Sequence, residues 1–243
     1  ALEAAIGDGD FDAFGILETD LLIDSGLMPN SYLIDVGCGS GRLAKPISHY
    51  LAQQPATSNQ QPATSNQQPA TSGRYLGIDV VPDLVEHARK LASRPDWRFE
   101  VMAEDAFSIP EADGVADMAV FFSVFTHLRH EQSYLYLQDA LRVLKPGGTV
   151  IFSFLEFRIQ QHWRVFDETV AGIHATLLNQ FMDRDMLAMW VQRLGVTLVG
   201  IYDGDKPHFR LRRPVKLAEN QIMEEQGHLG QSVCILRKPH TAT

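Results

Sequence analysis

The stretch Leu33–Ala44, LIDVGCGSGRLA, decides how the rest of the chain is read. An apolar run ends in an acid, Asp35, and passes into three glycines on alternate positions, Gly37, Gly39 and Gly41. The residues from Tyr32 to Gly37 have the continuous apolar character of a buried strand, and RLAKPISHYL after the turn reads as a helix interrupted early by Pro46. Strand, glycine turn and helix in that order make a nucleotide-binding turn, because residues without a Cβ let a ligand approach the backbone at the helix N-terminus. The spacing separates cofactors. A dinucleotide turn, G-x-G-x-x-G/A, uses its third small residue for close helix–strand packing, and here Arg42 stands in that slot. An acid two residues before the first glycine also suits a ligand with a positive end better than one with a pyrophosphate.

Outward from the turn, strand-like runs (YLIDVG, RYLGIDV, WRFEVMA, ADMAVFF, GTVIFSF) alternate with helix-like ones (PDLVEHARKLA, EQSYLYLQDALRVL). That alternation predicts an α/β fold: a doubly wound, Rossmann-like, mostly parallel sheet with helices on both faces. DMLAMWVQRLG, VTLVGIYDGD and QSVCILRKP follow as helix, strand and strand, so the sheet is expected to finish with an antiparallel edge strand. The 243 residues, 45% of them hydrophobic, fit one domain over residues 1–243.

One segment breaks the pattern. Gln53 to Gly73 is three copies of the heptad QQPATSN, with Gly73 replacing the last Asn. Each copy carries Pro, no charge and no large apolar side chain, which predicts a low-complexity loop over 53–73. A loop joining a helix to the next strand belongs at the sheet edge opposite the strand C-termini, away from any ligand. The repeat also hides a spacing. Asp79 ends the strand YLGID 38 positions after Gly41, and removing the 21 repeat residues leaves 17, near the roughly 20 expected between a glycine turn and a ribose-binding acid. Asp105, in AEDAF, closes the next strand and is placed to reach an adenine amino group.

Composition excludes several functions. The net charge of −9, with no basic run longer than Arg212–Arg213, argues against a nucleic-acid partner. Cys38 and Cys234 match no metal spacing, so no metal is expected, and two free thiols point to a reducing, cytoplasmic compartment. No apolar stretch approaches the roughly 20 residues that span a bilayer, so no membrane partner is expected. The start lacks a basic leader, and its missing initiator Met suggests a trimmed or partial N-terminus.

Taken together, these motifs resemble the class I S-adenosylmethionine-dependent methyltransferases that act on small molecules. LIDVGCGSG is similar to the family's first motif, GIDV to its ribose acid and EDAF to its adenine motif. ADMAVFFSVFTHL and LRVLKPGG are similar to its fourth and fifth blocks, in the same order, over Tyr32 to Phe154. The resemblance implies S-adenosyl-L-methionine as cofactor. It implies that Asp35, Gly37, Cys38, Gly39 and Gly41 hold the methionine part, Asp79 the ribose, Val80 one adenine face, and Asp105 with Ala106 the adenine edge. Phe122 and Ser123, after the fourth strand, would wall the same site.

The acceptor would enter beside the fourth strand, in FFSVFTHLRHEQ. His127 is the candidate general base, since histidine suits proton transfer near neutral pH; the alternative is a packing or capping histidine. Residues 155–182 form a connection longer than is usual without a function, and the resemblance suggests a lid, with His162, Trp163, Arg164 and His174 as acceptor contacts. An insert over 206–230 offers a second wall. The expected protein is a monomer or homodimer moving a methyl group to an O or N of a small-molecule acceptor. The rival readings are an NAD-type oxidoreductase on a similar fold and a non-catalytic S-adenosylmethionine-binding protein.

Overall fold

The computed structural model describes residues 10–52, 72–173, 176–217 and 221–240. In chain order it contains α1 (Phe11–Asp24), β1 (Tyr32–Val36), α2 (Ala44–Leu51), β2 (Arg74–Asp79), α3 (Pro82–Ala92), β3 (Arg98–Val101), β4 (Ala116–Phe121), α4 (His130–Val143), β5 (Leu144–Phe154), α5 (Trp163–Val170), α6 (Arg184–Leu194), β6 (Thr197–Tyr202), β7 (Phe209–Arg210), β8 (Val215–Lys216), β9 (Ile222–Met223), β10 (Gln226–Gly227) and β11 (Ser232–Arg237). The main sheet has seven strands in the order β3-β2-β1-β4-β5-β11-β6, and two small hairpins, β10-β7 and β8-β9, lie in the insert. No helix among the described residues is long and apolar enough to cross a membrane.

The central strand shows why the sheet takes helices on both faces. All five residues of β1 are buried, and alternate side chains leave a strand on opposite faces. Leu33 joins Leu17, Ile47 and Val85 from α1, α2 and α3. Ile34 and Val36 join Leu137, Ala140 and Leu187 from α4 and α6.

The expected reversal at the end of the sheet is present, but in a different place. β11 is antiparallel both to β5 and to β6, so the reversed strand lies inside the sheet and β6 forms the edge. The helix α6 carries the chain across to β6 in the parallel sense, one strand too far out. The chain then returns from the insert into the vacant slot, where β11 buries five of its six residues. The exposed Thr197, Leu198 and Val199 of β6 fit an edge.

Pro46 begins a helix instead of interrupting one. It sits in the first turn of α2, where a missing N–H costs nothing because first-turn donors have no partner within the helix. The heptads fall largely outside the described residues. Their anchor points meet: the Gly73 N–H donates to the Leu51 carbonyl at 2.8 Å, at the N-terminal end of β2.

The helix α1 was not expected from the sequence. Asp10 caps it, its carboxylate accepting from the Ala13 N–H at 3.2 Å. The buried face carries Glu18, Thr19 and Asp20 beside Leu17, Leu21 and Leu22, so polar residues interrupt the apolar period that marks a helix. Gly15 allows the closest approach: a Cβ there would overlap the carbonyl oxygen of Arg42.

Candidate active site

A cavity of about 750 Å³ opens at the C-terminal ends of the strands, where ligands bind in doubly wound sheets. Its floor is the end of β1 with the glycine turn, Asp35 to Gly39, and its sides include Ile78, Asp79 and Val80 after β2 and Met102, Glu104 and Phe107 after β3. Phe122, Ser123, Val124, His127 and Leu128 follow β4 along the opposite wall. The helix α1 closes one end with Phe14 and Glu18, beside Arg42.

The turn is bent by glycines in the left-handed region, with φ of 74° at Gly37 and 52° at Gly39. Its donors are already engaged. The Gly37 and Cys38 N–H groups donate to the Ile78 carbonyl at 2.8 and 3.0 Å, and the Gly39 N–H donates to Asp79 Oδ2 at 2.9 Å. The other carboxylate oxygen of Asp79 accepts from the Val81 N–H at 3.0 Å. A pyrophosphate laid on this turn would find no free backbone donor among these three and would face two carboxylates, Asp35 and Asp79. The arrangement therefore disfavours a dinucleotide on electrostatic grounds.

Three residues expected at the cofactor do not line the cavity. Gly41 (φ 94°) faces α3, where an added Cβ would lie 2.8 Å from Ala88 Cα, so its small size serves helix packing. Asp105 and Ala106 sit one and two residues beyond Glu104, which takes the place at the wall. Ala106 instead gives its carbonyl to the Tyr136 hydroxyl at 3.1 Å.

On the acceptor side the imidazole of His127 is held by its Nδ1, 2.8 Å from the Leu178 carbonyl oxygen. A carbonyl only accepts, so Nδ1 carries the proton and the lone pair sits on Nε2 in the neutral ring. Ser123, in the left-handed region at φ 59°, is pinned by donating its N–H to Ser153 Oγ at 2.8 Å. The Ser153 hydroxyl donates in turn to Gln231 Oε1 at 2.7 Å. A non-glycine residue at positive φ costs about 1–3 kcal/mol and persists where its surroundings over-determine it.

The expected contacts from 155–182 are not brought to the cavity. His162 is buried between the Glu156 N–H, which donates to its Nδ1 at 3.0 Å, and the Gly230 carbonyl, which accepts from its Nε2 at 2.9 Å. Both ring nitrogens are satisfied by backbone, a structural role. Trp163 donates Nε1–H to the Phe157 carbonyl at 2.9 Å and packs with Phe157 and Phe166. Arg164 is exposed and pairs with Glu168 at 3.5 Å, one turn along α5. The segment's aromatic residues pack on one another, with Phe157 stacked on Phe181 at 4.3 Å, so they are spent on the segment itself. His174 lies outside the described residues. Leu177, Leu229 and Gln231 reach the cavity in their place.

A family model for the methyltransferase domain matches residues 59–152, from within the heptads into β5. This match and the fold together support a class I S-adenosylmethionine-dependent methyltransferase. Similar solved structures include a methyltransferase of Thermotoga maritima, 18% identical over 94% of this chain and 91% of that one, with a TM-score of 0.58. The magnesium protoporphyrin IX methyltransferase of Synechocystis, solved with bound S-adenosylhomocysteine, is 13% identical over 96% of this chain and 90% of that one, TM-score 0.58. A methyltransferase of Methanosarcina mazei is 15% identical over 90% and 97%, TM-score 0.54. At these identities the likeness is one of fold.

The electrostatics of this methyltransferase's cavity are acidic and concentrated near the turn. Asp35 is 3% exposed and accepts from the Tyr75 hydroxyl at 2.6 Å. Burial pushes its carboxyl up to about 7, against the lowering hydrogen bond from Tyr75. Burial likewise raises Glu18, against the neighbouring Arg42. Phe14, Glu18 and Glu104 are wall residues that the sequence reading did not single out. The signal for the first two was the cap residue Asp10 ahead of FDAFGILETDLLID.

Proposed function

We propose that this methyltransferase transfers the methyl group of S-adenosyl-L-methionine to an oxygen or nitrogen of a small-molecule acceptor. The observation that carries the reading is one cavity with two unlike walls: carboxylates at Asp35 and Asp79, and apolar residues around His127 and Gln231. The first wall suits a sulfonium nucleoside, with Asp35 toward the ammonium, Asp79 toward the ribose hydroxyls and Val80 against the adenine. Asp79 keeps unused lone pairs on both oxygens after its two backbone bonds. Phe122, Val124, Leu177 and Leu229 exclude water around the acceptor.

The bound cofactor supplies an activated methyl carbon. The remaining work is alignment of the acceptor and removal of its proton. Asp35, Asp79 and Val80 would hold the activated methyl toward the acceptor's O or N for a displacement at carbon, with the sulfonium sulfur as leaving group. The acceptor's proton passes to His127 Nε2, the free lone pair of a ring fixed through Leu178. We place the reaction in the cytoplasm, where the buried free thiols Cys38 and Cys234 remain reduced.

Two results follow. Asp79→Ala should weaken S-adenosylhomocysteine binding by roughly 1.5–3 kcal/mol, the scale of lost hydrogen bonds to a charged group; unchanged affinity in calorimetry would remove Asp79 from the site. The second concerns pH. Asp35 holds its proton below about 7, and an ammonium ligand favours the ionised carboxylate. Binding therefore releases a proton at low pH, and affinity should rise with pH through this window by up to about tenfold per unit before levelling. Asp35→Asn should flatten the profile between pH 5.5 and 8. A slope unchanged in that variant would assign the titration elsewhere. For the transfer itself, a metabolite panel incubated with methyl-labelled S-adenosylmethionine should yield at least one labelled product, and none in the absence of enzyme.

A further inference from the structure

Fifteen large apolar side chains are exposed among the described residues, and six of them, Phe157, Trp163, Val170, Ile173, Leu177 and Leu178, fall in the connection from β5 to α6. Single exposed apolar residues need no explanation, but a contiguous group does. The helix α5 in that connection buries none of its residues, whereas a helix of a globular domain ordinarily lays an apolar stripe against the core. Its far end is nevertheless fixed. Asn179 Nδ2 donates to Thr169 Oγ1 at 2.9 Å, which sets Leu177 and Leu178 beside the end of α5, with Val170 and Ile173. His127 donates to the Leu178 carbonyl at 2.8 Å and the Gln180 N–H to the Thr126 carbonyl at 2.7 Å, pinning the same stretch to the loop after β4. Leu177 is 52% exposed and also lines the cavity, so the apolar surface runs from the cavity wall out past its mouth.

We propose that this surface binds the apolar body of a lipophilic acceptor, a hydroxyl or amine compound whose reactive end enters the cavity at His127 and whose hydrocarbon leaves it past Leu177 onto Leu178, Val170 and Ile173. The inference rests on the reading that the acceptor's O or N lies beside His127. The occupant follows from charge and continuity. No Asp, Glu, Lys or Arg occurs between Glu168 and Asp183, so the surface offers nothing to an ionic partner. A helix that lies on a bilayer sets Lys and Arg beside its apolar face; α5 has one arginine, Arg164, which pairs with Glu168. What remains is an uncharged hydrocarbon joined to the reacting group, and each methylene buried on the surface should add about fourfold in affinity.

The test is a pair of calorimetric titrations, with 4-ethylphenol and 4-hexylphenol, on the chain saturated with S-adenosylhomocysteine. Wild type is compared with Val170→Asn/Ile173→Asn, two positions exposed at 71% and 50%, where a polar residue leaves the core untouched. The wild type should prefer 4-hexylphenol by about 15- to 200-fold, the effect of burying two to four further methylenes. The variant should bind 4-ethylphenol as the wild type does, and its preference should fall below about threefold, because the longer chain would then desolvate two amides. A wild type that binds both phenols equally, or neither, would overturn the proposal, as would a preference that survives in the variant. Co-sedimentation of the wild type with phosphatidylcholine vesicles, lost in the variant, would assign the surface to a bilayer and also overturn it. The cofactor reading fails separately, if S-adenosylhomocysteine itself does not bind; the same two phenols on the unloaded chain then still decide the surface.

Discussion

Replacing His127 by Asn is expected to slow methyl transfer to a hydroxyl acceptor by about 10²–10⁴, the range of a positioned general base. Asparagine can still donate to the Leu178 carbonyl that holds the ring at 2.8 Å, but it has no basic lone pair where Nε2 stood. Melting temperature and S-adenosylhomocysteine affinity should therefore remain at wild-type values while turnover falls. A packing histidine would behave differently, lowering stability, cofactor binding and rate together. A rate within about threefold of wild type on a hydroxyl acceptor would remove His127 from proton transfer. An amine acceptor already deprotonated at the working pH needs no base, so the same variant should then lose little. The contrast between the two acceptor types separates proton removal from alignment.

The second large effect is on stability. Arg184→Leu should cost about 3–5 kcal/mol, because it leaves the Glu156 carboxylate buried without its cation. Arg184 grips Glu156 through Nε at 2.9 Å and Nη2 at 2.6 Å, and also reaches Asp203. The Ser232 hydroxyl donates to the same Glu156 oxygen as Nη2. The cluster ties the end of β5 to the start of α6, the end of β6 and the start of β11, four elements distant in sequence. Urea denaturation of Arg184→Leu against Glu156→Leu/Arg184→Leu tests the cause. The double variant should recover most of the loss, since it leaves no isolated buried charge. A loss below about 1 kcal/mol in the single variant would mean that water reaches Glu156.

The part of the site governed by local backbone rules was legible in the sequence. Asp35 and the bend at Gly37 and Gly39 follow from one short stretch. Asp79 became legible once the heptads were subtracted. Elsewhere the relevant contacts are between distant segments. Glu18 meets Arg42 across 24 positions, and α1 hides its period behind buried acids. Gln231 reaches the wall through Ser153, 78 positions away, with no local pattern to announce it. The place of β11 inside the sheet depends on where β6 and the insert leave room. His162, Trp163 and Arg164 carry residue types that often serve substrates, but in this chain backbone carbonyls, aromatic neighbours and Glu168 take up their bonding capacity. Asp105 was expected to close a strand, but β3 ends at Val101 and Glu104 and Asp105 lie in the turn beyond it, where strand alternation gives no guide to which side chain faces the cavity.

The most direct measurement is a pair of calorimetric titrations on the wild-type chain, one with S-adenosylhomocysteine and one with NAD, each repeated on Asp79→Ala. The account predicts saturable binding of S-adenosylhomocysteine that is displaced by S-adenosylmethionine and weakened by Asp79→Ala, with no heat from NAD. Binding of NAD, or binding of S-adenosylhomocysteine that ignores Asp79, would contradict the assignment of this cavity to the sulfonium cofactor.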